Sequence, residues 1–375
     1  MRIAMVTETY PPEVNGVART IGLMAEGLQR RGHSIELVRP RQNGHDHALK
    51  EENLSELLVQ GIPIPRYTQL RMGLPSRGVL ERRWAQERPH IVHIATEGPL
   101  GWSALSAARR LGIPVATDFH TNFHTYTRDY GMAWLARPVT AYLRGFHNRA
   151  ACTIVPTREI AQELAVLRFE RLRVVGRGVD PAVFNPARRS RELRAAWGAR
   201  DDTLIAVCVS RFAHEKNFPL VIRAYQAMRR IRPEAKLVLV GDGPLAEELR
   251  REKVGCVIAG RKVNGELAAH YASADVFLFP SMSETWGNVT LEAMASGLGI
   301  VAYDYAAARE VLRHGASALL APFGDDAVFI AHAERLARES ELAVSLGKEA
   351  RKDAQHLTWE RIVADFEAVL LDLAP

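Results

Sequence analysis

The sequence predicts an α/β protein made of two Rossmann-like, doubly wound domains. Short, continuous apolar runs alternate with amphipathic stretches along all 375 residues. Runs of this kind are typical of parallel strands that helices cover on both faces, because a half-exposed strand would alternate apolar and polar residues. The chain is also longer than one ordinary core requires. At roughly 100–200 residues per domain, the length favours two domains.

Each half of the chain contains five predicted strands, separated by predicted helices. A helix over 17–32, VARTIGLMAEGLQRRG, has apolar residues at helical spacing and a closing glycine, and TWERIVADFEAVLLDL (358–373) forms one amphipathic helix. The predicted strands are IAMV (3–6), IELV (35–38), IVHIA (91–95), PVATD (114–118) and CTIV (152–155), followed by LIAVCV (204–209), AKLVLV (235–240), GCVIA (255–259), VFLF (276–279) and IVAY (300–303).

The regular alternation breaks in the stretch 176–202, which contains two prolines, two turn signals and a run of charges. We therefore expect an N-terminal domain over 1–180 and a C-terminal domain over 181–357. The remaining segment, 358–375, is expected to pack back on the N-terminal domain. Two doubly wound domains that face each other form a cleft between the carboxyl ends of their sheets, where such folds bind ligands.

Composition excludes several classes of protein. Apolar residues make up 47% and charged residues 25% of the chain, so a disordered or collagen-like protein is excluded. Three widely separated cysteines, with no CxxC pair, fit a reducing compartment. No apolar run approaches the ~20 residues that span a bilayer, and the N-terminus lacks the pattern of a signal peptide. We therefore expect a cytoplasmic protein.

Positive charge is concentrated in the first half of the chain. The net charge is +6, and residues 1–180 hold 24 Lys/Arg against 17 Asp/Glu. Such an asymmetry indicates an anionic partner, either nucleic acid or a membrane. In the stretches 66–83 and 132–150, arginines accompany large apolar residues, which suits an anionic leaflet, although a helix that packs on its own core gives the same pattern. The predicted membrane face consists of Arg66, Arg71, Arg77, Arg82, Arg83, Arg137 and Arg144.

The stretch SETWGNVTLEAMASG (283–297) carries the clearest chemical pattern. Gly287 and Asn288 stand where a helix begins after a buried strand, and the unpaired amides of a helix start suit a phosphate group. Glu284 precedes this turn and Glu292 lies eight positions later. This spacing lets one carboxylate reach the head of a ligand and the other its middle. Two surface glutamates beside a helix would have the same sequence.

Two cations in VSRFAHEKNFPLVIRAY (209–225) lie between a strand and a helix. The guanidinium of Arg211 can hold phosphate oxygens with two hydrogen bonds, and Lys216 adds a second positive charge. The pair predicts a clamp for a diphosphate, although a solvated loop could have the same composition. VGDGPL (240–245) lacks the third glycine of a dinucleotide-binding motif.

Two loops of the first half add further candidates. Asn15 and Gly16 make a turn into the first helix, where a glycine lets a ligand approach the backbone closely. In TDFHTNFHTYTRDYG (117–131), His120 and His124 would lie one helical turn apart if the segment is helical, and aromatic residues stand between and around them. Histidines at this spacing can bind zinc, but no third ligand is suggested. A structural and a functional role for His120 both remain open.

In combination, these motifs resemble the family 4 retaining glycosyltransferases of GT-B fold, over about the whole chain. NGV follows the first strand, FHT lies midway, SRF and EKN open the second half, and two glutamates eight positions apart flank a helix start. The resemblance implies donor-binding roles for Asn15, Gly16, Arg211, Lys216, Gly287, Asn288 and Glu292, and catalytic roles for His120, Arg211, Lys216 and Glu284. The sequence departs from the family at Gly299, which replaces a proline, and at 306–308, where three alanines replace a glycine pair near the donor sugar.

By this resemblance, Glu292 would bond the ribose of an activated sugar, Arg211 and Lys216 would neutralise its diphosphate, and Glu284 would contact the hexose. Gly16 would lie against the diphosphate from the opposite domain, and His120 would lie near the anomeric centre. The activity implied is transfer of glucose or mannose from a nucleoside diphosphate sugar with retention of configuration. Because protein cations would stabilise the leaving diphosphate, no metal or other cofactor is expected.

Close relatives by motif glycosylate membrane lipids, which implies a lipid acceptor such as diacylglycerol or phosphatidylinositol at the inner face of the cell membrane. A soluble or polysaccharide acceptor is an alternative. A sugar-nucleotide epimerase shares the two-domain layout, although the paired glutamates argue against it. A nucleic-acid partner is not expected, because no helix-turn-helix, RRM or zinc motif is present.

Overall fold

The structure is a computed structural model that describes residues 1–13, 15–64, 67–120, 136–251 and 255–374. The chain divides into two compact units, one formed by 1–177 together with the segment from Trp359 onward, and one formed by Gly178–Thr358. We call them unit 1 and unit 2. The chain thus leaves unit 1 within the irregular stretch 176–202 and returns to it with the last helix.

Unit 1 is built on a parallel sheet. Its elements are β1 (Arg2–Val6), α1 (Gly16–Arg30), β2 (Ser34–Pro40), β3 (Leu54–Val59), β4 (Gly61–Ile64), β5 (Tyr67–Gly73), α2 (Arg77–Gln86), β6 (Ile91–Ile94), α3 (Pro99–Arg110), β7 (Val115–Asp118), α4 (Ala136–His147), β8 (Cys152–Val155), α5 (Arg158–Val166) and β9 (Leu172–Val174). The sheet order is β3-β2-β1-β6-β7-β8-β9, and β4 and β5 form a separate antiparallel pair. Ligands of such folds bind outside the carboxyl ends of the strands, where the order reverses between β1 and β6.

Unit 2 repeats this architecture. Its elements are α6 (Arg191–Ala196), β10 (Ile205–Val209), α7 (Phe218–Ile231), β11 (Lys236–Val240), α8 (Ala246–Arg251), β12 (Val257–Gly260), α9 (Asn264–Ala272), β13 (Val276–Phe279), α10 (Asn288–Ala295), β14 (Gly299–Tyr303), α11 (Ala306–Val311), β15 (Leu319–Ala321), α12 (Asp326–Arg338) and α13 (Ser340–Ala354). The sheet is parallel in the order β12-β11-β10-β13-β14-β15. The order reverses between β10 and β13, so the loops that follow these two strands lie side by side.

Each of the ten apolar runs forms a strand, so the predicted α/β class is confirmed. The central strands are mostly apolar because helices cover both faces, and β10 is fully buried along its length. The sequence did not predict β3, β9 and β15, which lie at sheet edges, or the β4–β5 pair. An edge strand has one neighbour and is partly exposed, as β9 is, so its sequence needs no continuous apolar run.

The last helix, α14 (Trp359–Leu373), packs against α1 in unit 1. Val363 fills the space beside Gly27, and the ring of Phe366 meets the edge of the buried His93 ring at a centroid distance of 4.9 Å. Glu367 binds Arg31 and His33 at the end of α1. The apolar face of α14 thus completes the core on this side of the unit 1 sheet. Of the helices in the described ranges, none is long and apolar enough to span a membrane.

Candidate active site

The ammonium group of Lys216 lies at the centre of a polar cluster at the carboxyl edge of the unit 2 sheet. Its Nζ is 2.5 Å from Oε1 of Glu284 and 3.3 Å from the carbonyl oxygen of Ser283. The hydroxyl of Ser281 donates to the same Glu284 oxygen at 2.9 Å. Lys216 ends the short 3-10 turn after β10 and Glu284 follows β13, so the sheet order brings the two residues together. Sequence reasoning assigned both residues but missed Ser281.

Arg211 stands at the exposed rim of this cluster. Its guanidinium donates to Oε1 of Glu215 at 2.8 Å. Burial raises the pKa of Glu215, but the hydrogen bond and charge of Arg211, a backbone hydrogen bond and the charge of Lys216 together outweigh burial, so the pKa of that carboxyl lies below its ordinary value. The backbone oxygen of Glu215 in turn accepts from the amide of Met282 at 2.7 Å, which ties the two site loops together.

The loop after β11 supports the loop that carries Arg211. A Cβ on Gly241 would overlap the carbonyl oxygen of Ser210, and a Cβ on Gly243 would lie 2.5 Å from the carbonyl oxygen of Phe212. Only glycine permits this close approach, so the GxG of VGDGPL shapes the loop that holds Arg211. The sequence contains this signal, but on its own it resembled an incomplete dinucleotide motif.

The start of α10 lies next to Glu284. Gly287 adopts a left-handed conformation with φ +96°, which favours glycine, and it offers no side chain to cap the helix. A Cβ on Gly287 would lie 3.6 Å from the side chain of Glu284. Oδ1 of the next residue, Asn288, is buried and has no hydrogen-bond partner among the described residues. The helix start therefore presents polar groups beside the Lys216 cluster.

Glu292 lies within α10 and is buried, with 5% of its surface exposed. The hydroxyl of Tyr271, a fully buried side chain of α9, donates to Oε2 of Glu292 at 3.1 Å. The burial of Glu292 differs from the surface glutamate that the sequence left open as an alternative. Its partner Tyr271 lies 21 residues away, and the sequence gave no indication of it.

A partly open pocket with about 230 Å³ of empty volume lies beside Glu284, with Trp286, Tyr305 and Ala306 in its wall. The Tyr305 hydroxyl donates to the backbone oxygen of Glu284 at 3.0 Å. Ala306 is the first of the three alanines that replace the family's glycine pair, and it has φ +50°. The structure thus keeps a glycine-like backbone at this position in spite of the substitution.

In unit 1, Asn15 caps α1 by accepting a hydrogen bond from the amide of Ala18 at 2.8 Å. Its Nδ2 donates to Thr9 Oγ1 at 2.7 Å, which closes the loop after β1. A Cβ on Gly16 would meet no atom of the described residues within 4 Å, so packing among those residues does not explain a glycine here. The close approach of a ligand at Gly16 stays a prediction.

His120 follows β7 and is surrounded by charged partners that sequence reasoning missed. Its Nε2 lies 3.0 Å from Oδ2 of Asp118, and its Nδ1 lies 3.3 Å from Nη2 of Arg177. Burial lowers the pKa of His120. Burial raises the pKa of Asp118, but His120 and Arg177 together lower it by more than burial raises it. The pKa of Asp118 therefore lies well below its ordinary value. One signal was available, since Asp118 ends a buried strand. His124 lies outside the described residues.

Two carboxyl groups at the carboxyl ends of β1 and β6 have raised pKa values. Burial raises the pKa of Glu8 to about 7, although the amides of Leu100 and Gly73 oppose the shift. Burial also raises the pKa of Glu97 to about 7, and the charge of Glu8 adds to this effect. Among the residues that the structure describes, none offers a hydrogen bond to the buried Oε1 of Glu97. The sequence gave no reason to select either glutamate.

The predicted membrane face is only partly a free basic surface. Arg83 binds Glu36 at 2.6 Å and Glu87 at 2.7 Å, and Arg77 binds Glu81 at 2.7 Å. Two others bind backbone oxygens, Arg71 that of Gly61 and Arg144 that of Leu167. Arg82 and Arg137 are exposed, and Arg66 lies outside the described residues.

The apolar residues of α4 support the alternative of a helix that packs on its own core. Leu143 and Phe146 are buried, whereas Tyr142 is 47% exposed. Among the residues that the structure describes, no group of three or more His, Cys, Asp or Glu side chains is arranged to hold a metal ion.

Comparisons with known proteins identify the family of the chain. The chain matches two family models, Glycosyltransferase Family 4 over residues 14–183 and Glycosyl transferases group 1 over residues 189–353. It is 31% identical to a GDP-mannose-dependent alpha-mannosyltransferase of Mycolicibacterium smegmatis, over 99% of this chain and 98% of that protein. It is 28% identical to an alpha-monoglucosyldiacylglycerol synthase of Streptococcus pneumoniae, over 81% of this chain and 71% of that protein.

The similarity of this chain to solved structures concerns the fold alone. The sucrose-phosphate synthase of Thermosynechococcus elongatus has a TM-score of 0.81 and 20% sequence identity, with 99% of this chain and 98% of that chain covered. The predicted pair of parallel-sheet α/β domains is therefore found in a solved protein of nearly the same extent.

Proposed function

The chain belongs to the family 4 glycosyltransferases and is a hexosyltransferase, and from this premise we propose that it moves mannose or glucose from a nucleoside diphosphate sugar to a membrane lipid, with retention of anomeric configuration. The observation that carries the proposal is the cluster of Lys216, Glu284 and Ser281 beside the start of α10. It combines a cation for a diphosphate with a carboxylate for sugar hydroxyls.

The donor lies along the carboxyl edge of the unit 2 sheet. Lys216 and Arg211 neutralise the diphosphate, and the amides at the start of α10, around Gly287 and Asn288, donate hydrogen bonds to its oxygens. Glu292 accepts hydrogen bonds from the ribose, since a buried carboxylate held by Tyr271 is already oriented. The hexose lies beside Glu284, whose carboxylate accepts hydrogen bonds from its hydroxyls. From unit 1, Asn15 and Gly16 present open backbone to the diphosphate, and His120 contacts the sugar near its anomeric centre.

Catalysis in this proposal is electrostatic. As the glycosidic bond breaks, negative charge grows on the leaving diphosphate, and the fixed cations Arg211 and Lys216 stabilise that charge. Because the negative charge is larger in the transition state than in the ground state, these cations stabilise the transition state more. The contacts therefore raise the rate and not only the affinity. Protein cations thereby supply the positive charge that a metal ion supplies in other nucleotide-sugar enzymes, and the proposal needs no cofactor.

The acceptor in the proposal is a lipid such as diacylglycerol or phosphatidylinositol, and the protein binds peripherally to the cytoplasmic face of the membrane. The S. pneumoniae relative is named as a glucosyldiacylglycerol synthase, which supports this acceptor class. The exposed arginines Arg82 and Arg137 supply part of the attraction to anionic lipid, each worth about 1 kcal/mol near the surface. We expect no nucleic-acid partner.

The donor is tested by incubating the protein separately with GDP-mannose and UDP-glucose and measuring nucleotide release. One donor should give release that rises at least tenfold when vesicles containing diacylglycerol or phosphatidylinositol are added. The anomeric configuration of the glycolipid, measured by NMR, should match that of the donor. In Glu292→Gln, the rate should no longer saturate at donor concentrations that saturate the wild type. Glu266 is an exposed glutamate of the same unit, and Glu266→Gln should behave as wild type.

The same assay separates the alternatives. Release that increases with a soluble sugar or polysaccharide, and not with lipid, would replace the lipid acceptor with that class. A sugar-nucleotide epimerase would convert or hydrolyse the donor at the same rate without any acceptor. Failure of the protein to sediment with anionic vesicles at low salt would remove the peripheral membrane part of the proposal.

A further inference from the structure

The His120 ring is held between a carboxylate and a guanidinium inside unit 1. Asp118, at the end of β7, is 2% exposed, and Arg177, the last residue of unit 1 before the chain enters unit 2, is 3% exposed. Arg177 is itself fixed, because its Nη1 donates to the backbone oxygens of Val175 and Gly176 at 3.0 and 3.1 Å. Neither charged group can swing into solvent without breaking buried contacts.

The arrangement determines which ring nitrogen of His120 carries the proton. A guanidinium nitrogen only donates hydrogen bonds, so Nδ1 of His120, 3.3 Å from Nη2 of Arg177, must offer its lone pair. The proton of the neutral ring therefore lies on Nε2, which faces the Asp118 carboxylate at 3.0 Å. If Nδ1 carried the proton, that proton would point at the Arg177 donor. The lone pair of Nε2 would then face the buried Asp118 carboxylate.

We propose that Asp118 and Arg177 are positioning residues that hold His120 as the neutral Nε2–H tautomer and fix the orientation of its ring. The step that depends on this orientation is the transfer described above, so this inference rests on the proposed function. The two residues act through His120 and need not touch the substrate. In the sequence, Arg177 lies 57 residues from His120, and the sheet brings the two together. Arg177 follows β9, whereas Asp118 is the last residue of β7 and His120 follows it.

Other titratable groups face the same cluster. His93, on β6, is fully buried and has Nε2 at 3.6 Å from Oδ2 of Asp118, and its ring rests on Phe366 of α14. His147, at the end of α4, donates to or accepts from Thr117 at 2.9 Å, and burial lowers its pKa to about 3. Glu97 lies near enough for its pKa to respond to the Asp118 charge. These groups are present in every variant below, so differences between variants report on the residue replaced.

The first test reads the tautomer without any substrate. The protein has 13 histidines, and the ring ¹⁵N signals of His120 are identified as those lost in His120→Gln. In the wild type, Nε2 should have the shift of a protonated nitrogen and Nδ1 that of an unprotonated one. Arg177→Lys keeps a donor and should keep this pattern. Asp118→Asn should also keep it, because Arg177 still donates to Nδ1, whereas the double variant Asp118→Asn, Arg177→Gln should populate the Nδ1–H form. A wild-type Nδ1–H signal, or an unchanged pattern in the double variant, would overturn the proposal.

The second test follows the pKa of His120 by NMR titration in the same samples. The Asp118 charge raises this pKa and the Arg177 charge lowers it. Asp118→Asn should therefore lower the His120 pKa and Arg177→Gln should raise it, each by about one unit. The exposed pair Arg173 and Asp372, 2.9 Å apart in the same unit, provides matched controls, and neither Arg173→Gln nor Asp372→Asn should move the pKa. Shifts in the same direction for both buried variants would contradict the proposal.

The third test connects the tautomer to the reaction. The double variant Asp118→Asn, Arg177→Gln should lower kcat at least tenfold and change the KM for the donor less than threefold, because the ring is reoriented while the diphosphate site in unit 2 is intact. The acid limb of the pH–rate profile should move upward in Arg177→Gln. A wild type without transferase activity would refute the proposed function but leave the NMR result valid. An unchanged kcat in the double variant with an altered tautomer would refute the link to catalysis.

Discussion

The ammonium of Lys216 lies 2.5 Å from Oε1 of Glu284, although 68 residues separate them in the chain. The sequence assigned one residue to the diphosphate and the other to the hexose. In the structure they form an ion pair that is mostly buried, with 13% and 16% of the side chains exposed. A donor phosphate must therefore share Lys216 with a carboxylate, and the two residues act as one unit.

This pairing predicts that substitutions at the two positions are not additive. Lys216→Met should reduce kcat/KM for the donor about 100-fold or more, because it removes a cation and leaves the Glu284 charge facing the diphosphate. The double variant Lys216→Met, Glu284→Gln should lose no more than either single variant alone, as measured by steady-state kinetics. Lys262→Met, which removes a partly exposed lysine 3.8 Å from Glu266 in the same unit, serves as the control and should retain wild-type kinetics. Additive losses in the double variant would show that the pair does not function as a unit.

The hydroxyl of Tyr271 should matter for nucleotide affinity. Tyr271→Phe removes the hydrogen bond to Glu292, and a bond of this kind is worth about 1 kcal/mol, so the Kd for the nucleoside diphosphate should rise about fivefold by calorimetry. Tyr225→Phe is a matched control, because it also removes a buried hydroxyl in unit 2, one that donates to the backbone oxygen of Ala235 at 3.0 Å. Equal loss of affinity in both variants would contradict the assignment of Glu292.

Glycine at position 243 should be required both for stability and for donor binding. In Gly243→Ala, the new methyl group would press on the backbone of Phe212 and displace the loop that holds Arg211. We expect a loss of about 2–3 kcal/mol in the free energy of unfolding and a weaker affinity for the nucleotide, measured by urea titration and calorimetry. Gly265→Ala, where the nearest atom to the new Cβ is an arginine side-chain nitrogen at 3.7 Å, should lower neither the stability nor the affinity.

Glu97 should make unit 1 less stable as the pH rises. Its pKa is about 7 in the folded protein and 4.5 in the reference state, so the folded state binds more protons between these values. Stability is therefore full below about pH 4.5 and falls as the pH rises to about 7, by at most about 3 kcal/mol. Glu97→Gln should flatten this fall and be more stable than the wild type at pH 8 in urea unfolding. Glu52→Gln, at an exposed glutamate, is the control. If the free energy of unfolding of Glu97→Gln differed from that of the wild type by the same amount at pH 5 and pH 8, this role of Glu97 would be excluded.

The sequence alone determined the parts of this protein that depend on neighbouring residues. Ten apolar runs identified ten strands, because a parallel strand buried on both faces must be apolar throughout. Motifs within a few positions of a strand end, such as Arg211 with Lys216 and Glu284 with Gly287, identified the family and the donor side of the site. The edge strands β3 and β9 were missed, since partial exposure leaves them without a continuous apolar pattern. The apolar strand β15 was missed because it is only 3 residues long.

Only the tertiary structure decided which of these residues meet. The sheet order places β10 beside β13, and this joins Lys216 to Glu284. It also decided burial, which orients Glu292 against Tyr271 and encloses His120 between Asp118 and Arg177. Local sequence carries information over a few residues, whereas strand order and burial arise from contacts across tens of residues. The sequence therefore indicated the candidate site residues. It did not indicate the partners that set the geometry and the pKa values of those residues.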